Sequence, residues 1–105
     1  MSSSMVSWNV RSMGVITVTI DPASVATITT AEQTFTVPGL QLADMVFANK
    51  PTNTVGVGVV NARVSAANTL ALTFVNPTAG GVDAASEVWK ILWIRPDGAM
   101  TGATD

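Results

Sequence analysis

Asp83, in the loop that begins at Gly80-Gly81, and Glu87, at the start of a β pattern, lie four residues apart. They could be read as a pair of acid/base carboxylates. Retaining glycosidases hold two carboxyls about 5–5.5 Å apart in a substrate cleft. Turn and strand-edge roles suit these positions better. Asp21, Asp44 and Asp97 each sit beside a proline, a turn or a strand edge, and none has the Asp-x-Asp-x-Asp-Gly spacing of a calcium loop. Gly56-Val57-Gly58 lacks the third glycine, the lysine and the following helix of a phosphate loop. The chain has no Cys, no His and no Tyr. Disulfide scaffolds, zinc fingers, thiol nucleophiles and Ser-His-Asp triads are therefore excluded. Arg63, Lys90 and Arg95 are isolated basic residues. With five Lys+Arg against seven Asp+Glu, they give no electrostatic footprint for nucleic acid or anionic lipid. Trp89 and Trp93 share one face of a strand with Ile91 between them. Such a row can stack sugars, and more often it builds a core or a subunit interface. The residues point to a non-enzyme with no cofactor and no metal.

The elements around these residues read as strands. Residues 15–20, V-I-T-V-T-I, alternate Ile16, Val18 and Ile20 against threonines, and Asp21-Pro22 ends the run. Residues 33–37 repeat the pattern with Phe35 and Val37, closed by Pro38-Gly39. A short apolar run covers 44–48. A longer β segment covers 55–64, where Gly56 and Gly58 suggest a bulge or close backbone approach. Residues 69–75 alternate Leu70, Leu72 and Phe74 against Ala71, Thr73 and Val75. The loop 65–68 makes the last two segments a hairpin. Residues 87–95 place Val88, Lys90, Leu92 and Ile94 on one face and Trp89, Ile91, Trp93 and Arg95 on the other. The expectation is an all-β chain: an antiparallel β-sandwich or small jelly-roll-like barrel of about six to eight strands. Its expected core is Ile16, Val18, Ile20, Phe35, Val37, Phe47, Leu70, Leu72 and Phe74.

At 105 residues the chain is one domain's worth. It divides into an N-terminal arm at 1–12, a sandwich at 13–96 and a C-terminal tail at 97–105. The arm carries Met5, Val6, Trp8 and Val10 outside any alternation. Trp8 either folds back onto the chain's own sheet or docks the arm onto a neighbouring subunit; on the second reading these residues, with Trp89 and Trp93, form the candidate partner interface. Only 11% of residues are charged, where about 25% is ordinary for a soluble domain. A Thr-rich β surface can be soluble with few charges, but surface buried between subunits also explains such a deficit, and on that reading the isolated protein is expected to be a homo-oligomer, with a closed trimer as the expected form. The longest charge-free run, between Arg63 and Asp83, is broken by Asn68, Asn76, Pro77, Gly80 and Gly81 and does not read as a membrane span. Ser2, Ser3 and Ser4 stand where a signal peptide needs basic residues. Synthesis in the cytoplasm is the expectation, with no membrane partner.

Three stretches carry a resemblance: T-V-T-I-D-P-A-S-V-A at 17–26, A-E-Q-T-F-T-V-P-G-L at 31–40 and N-A-R-V-S-A-A-N-T-L-A-L-T-F-V-N-P-T-A-G at 61–80. They resemble small all-β proteins of tailed-bacteriophage virions, which appear as head decoration (cement) proteins and as similar domains in fibres and spikes. The resemblance covers roughly residues 15–95. It implies a β domain on the capsid surface, often a trimer, that binds the major capsid protein or a neighbouring virion protein and strengthens the particle. A fibre or spike domain with a carbohydrate- or host-surface-binding role is the alternative. A bacterial adhesin-like module is a third class.

Overall fold

Alternating β-branched and threonine-rich segments become six strands, connected by turns and loops that begin at proline, glycine and asparagine. The computed structural model describes residues 9–97. The strands are β1 (Val10–Ile20), β2 (Thr29–Thr36), β3 (Met45–Asn49), β4 (Gly58–Ala66), β5 (Thr69–Asn76) and β6 (Glu87–Pro96). They form two antiparallel sheets of three strands, ordered β1-β6-β3 and β2-β5-β4. This is a β-sandwich. Among the connections, only β4 to β5 is a tight hairpin. Its turn carries Asn68 at φ 59°, a left-handed conformation that asparagine tolerates. Asn68 also fastens the hairpin tip to the loop after β2, since its Oδ1 accepts from Gly39 N at 2.8 Å.

The core lies between the sheets. Ile20, Val46, Trp89 and Ile91 come from one sheet, and Val64, Leu70, Leu72 and Phe74 from the other. Phe74 and Trp89, on the two central strands, meet edge to face with centroids 6.3 Å apart. Quadrupolar rings prefer this geometry to a stacked sandwich. Among the described residues, the buried indole Nε1 of Trp89 finds no hydrogen-bond partner. That costs about 1–3 kcal/mol, which the ring's large buried apolar area must outweigh. Val25, Val37 and Leu40 are buried beyond the strand ends and close the core.

Two expectations are corrected. β1 begins at Val10, so Val10–Ser12 belong to a strand and not to an arm. Gly14 hid this extension. Glycine is depleted in strands, yet here it pairs with Trp93, and a Cβ at this position would stand 3.0 Å from Trp93 Cζ2. The missing side chain is what lets the indole lie against β1. Phe47 is not in the core: it is 52% exposed, and Val46 takes the inner position at 6%. Every residue from Met45 to Ala48 is apolar, so composition alone does not fix which parity faces inward. Pairing with β6 does fix it, by placing Val46 beside Trp93 and Phe47 beside Leu92. A bulge between Val59 and Asn61 likewise turns Val60 outward, to 59% exposure.

Phe74→Ala should cost about 3–5 kcal/mol, the range for emptying a buried aromatic site. Urea unfolding checks this. An unchanged midpoint would contradict the inter-sheet packing of Phe74 against Trp89.

Candidate functional site: the outer faces of the sandwich

Three ion pairs, Lys50–Glu87, Arg63–Glu32 and Arg95–Asp44, tie strands and loops together. Glu87 is bound by Lys50 Nζ at 2.6 Å and by Thr52 Oγ1 at 2.7 Å, which ties the loop after β3 to the start of β6. Asp83 is exposed in the preceding loop, while Glu87 is engaged by Lys50 and Thr52. Asp44 is enclosed, and Arg95 grips both of its oxygens at 2.8 Å while also donating to Gly39 O at 3.0 Å. The same guanidinium lies 4.7 Å from the Trp93 ring centroid. Hydrogen bonds from Arg95 hold the Asp44 carboxyl below its ordinary value of 3.8, against the opposing effect of burial and with help from the Gln41 amide. Glu87 is lowered in the same sense by Lys50 and Thr52.

At the opposite end of β6 and β5, buried Asn76 uses both ends of its amide. Nδ2 donates to Val25 O at 2.9 Å and Gly80 O at 2.8 Å, and Oδ1 accepts from Thr78 N and Oγ1 at 2.8 and 2.6 Å. This satisfies a buried polar group that would otherwise be costly. It also draws the loop after β5 onto the segment after β1, where Val25 and Val82 exchange backbone hydrogen bonds.

The two outer faces differ in kind. On the β2-β5-β4 sheet the outward positions are mostly Thr30, Glu32, Thr34 and Thr36, Thr69 and Thr73, with Asn61 and Arg63. Arg63 and Glu32, on the two edge strands, reach each other over β5 with contacts of 2.7 and 2.9 Å. Ala71 beneath this bridge is fully buried although it points away from the core. On the β1-β6-β3 sheet the outward residues form cross-strand rows. Met13, Ile94 and Met45 make one row, and Val15, Leu92 and Phe47 the next. A third row is Thr17, Lys90 and Asn49. The first two rows are wholly apolar, and four of their six residues are 44–61% exposed. A depression of about 420 Å³ lies over Val15, Phe47, Leu92 and the Lys90 stem.

Of the expected interface residues, Met5, Val6 and Trp8 lie outside the described residues. Val10 is half-buried in β1. Trp89 is fully enclosed in the core. Trp93 is half-buried between Gly14 and the Arg95 guanidinium, so the two tryptophans do not make an open stacking platform. The face that does stand open includes Phe47, which pairing with β6 turns outward. The signal for it was present in Val88, Leu92 and Ile94 opposite the tryptophans on β6. Among the described residues, no group of three or more His, Cys, Asp or Glu stands together as a metal site. Comparison of the chain with protein-family models, with curated proteins and with solved structures returned no match.

Asp44→Asn should destabilise the protein at neutral pH and not in strong acid. A carboxylate whose folded value is depressed stabilises fully above its unfolded value, here 3.8, and that stabilisation is lost as pH falls through the folded value. Thermal melts of both proteins from neutral pH to below 3.8 should therefore converge. A difference that does not change with pH would show that the ion pair is not its source.

Proposed function

We propose that this chain is a non-catalytic structural protein of a tailed-bacteriophage virion, a head decoration or cement protein that binds the capsid surface as a homo-oligomer. The open apolar face of the β1-β6-β3 sheet is the observation that carries the reading. A domain whose outer sheet face is apolar over two full rows is built to be covered by protein. The strand-and-turn stretches at 17–26, 31–40 and 61–80, which resemble phage virion proteins, supply the setting. The ion pairs support a structural role, because Glu32, Asp44, Glu87 and Asp97 are each paired with a basic residue that fixes strands or loops. The carbohydrate-binding alternative has less support, since it depends on open tryptophan faces.

The test is attachment to heads of the phage that encodes the chain. Purified protein should co-sediment with heads at a stoichiometry set by the lattice and should raise the temperature at which they rupture. Absence from purified heads, and failure to bind them, would contradict the role. Residues 2–8, with Met5, Val6 and Trp8, are the segment of the arm that precedes β1. Their deletion should leave the melting temperature of the sandwich nearly unchanged and weaken head binding. If the truncated protein decorates as well as the full chain, those residues are not an anchor.

A further inference from the structure

We infer that the apolar outer face of the β1-β6-β3 sheet is the seat of a second copy of this chain, packed face to face. This names the self-contact within the structural role proposed above and rests on that reading only to that extent. The contact surface is Met13, Val15, Met45, Phe47, Leu92 and Ile94, six side chains on three adjacent strands in two consecutive rows. Val15 is 61% exposed, Met45 54%, Phe47 52% and Met13 44%. At roughly 100 Å² apiece, with the smaller open parts of Leu92 and Ile94, they present about 500 Å² of apolar surface. That lies toward the upper end of the ~300–600 Å² of the largest patch on an ordinary monomer. Two such faces with their polar rims would bury roughly 1,400 Å² in total, within the ~1,200–2,000 Å² of specific stable interfaces.

Charge says how the copies lie. Lys90 is the only charged residue in the three rows. A two-fold axis in the interface plane and along the strands would stack Lys90 on Lys90. An axis across the strands, passing between the Leu92 and Ile94 rows, avoids this. It lays Met13 over Val15, Ile94 over Leu92 and Met45 over Phe47. It also holds the two ammonium groups about 20 Å apart along the strand direction, at ~3.4 Å per residue. Each Lys90 then approaches the far end of β6 in the other copy, where Asp97 stands exposed beside Arg11. Sheets pack face to face in this way inside sandwiches at about 10 Å, so the pair would be a four-layered stack with a second core at its centre. Such a contact is isologous and closes at two copies. The polar β2-β5-β4 face is left outward in both.

Sedimentation velocity on the full chain at micromolar concentration should give twice the 10.8 kDa chain mass. Val15→Glu and Phe47→Glu, on different strands and both more than half exposed, should each keep the far-UV circular dichroism of the sandwich. Each should weaken the pair by about a hundredfold or more, because a charge would be buried against apolar side chains. Thr34→Glu, on the other sheet, should remain paired. A wild type that is monomeric throughout would overturn the inference. So would a trimer, or glutamate variants that stay paired. If deletion of residues 2–8 converts a monomer into a pair, the chain's own N-terminal segment is the occupant and the inference also fails. Failure of head binding with the pair intact would instead count against the virion role alone.

Discussion

β6 is the centre strand of its sheet and carries large apolar side chains on both faces. Trp89, Ile91 and Trp93 point inward, while Val88, Leu92 and Ile94 point outward. A strand with this pattern is at home where both faces are covered, as in the buried sheets of layered proteins. One face of β6 is covered by the β2-β5-β4 sheet. Within the described chain, the other is not. The neighbouring strands follow the same rule, since Met13 and Val15 on β1 and Met45 and Phe47 on β3 continue the outward apolar rows. Three strands agreeing in parity make a designed surface out of what would be scattered exposure on a single strand.

The sparse charge of the sequence has its explanation in the same arrangement. Four of the five basic residues, Arg11, Lys50, Arg63 and Arg95, pair with carboxylates and pin edges or loops. The fifth, Lys90, stands at the border of the apolar rows. The polar sheet reaches solubility through threonine hydroxyls and one Glu32–Arg63 bridge. On the β1-β6-β3 sheet, among the described residues, the two apolar rows give way to polar side chains at the Thr17, Lys90 and Asn49 row. One sandwich thus presents one mostly polar outer face and one with two apolar rows.

Much of the fold was legible in the sequence. Period-two alternation located β5, β6 and the second half of β2, whose first four residues, Thr29–Glu32, lack an apolar alternation, and the turn residues placed the β4–β5 hairpin. Three features were not legible, each for a physical reason. The start of β1 was hidden because Gly14 interrupts the apolar alternation, and only the closeness of Trp93 explains why glycine stands there. The parity of β3 was hidden because Met45 through Ala48 are all apolar, so its inward side is set by pairing with β6 and not by composition. Asn76 and Asp44 read as turn or edge residues, and their burial depends on partners 51 positions away in sequence, at Val25 and Arg95. The outward apolar rows depend on the same parity, because Phe47 joins Val15 and Leu92 only once pairing with β6 turns it outward.

Methionine oxidation tests the covered face most directly, because Met13 and Met45 flank Ile94 in its first row. Their rates under dilute peroxide, followed by peptide mass spectrometry, should fall as protein concentration rises through the association range. In Phe47→Glu they should be fast at every concentration. Rates in the wild type that are independent of concentration and equal to those of the variant would contradict the account.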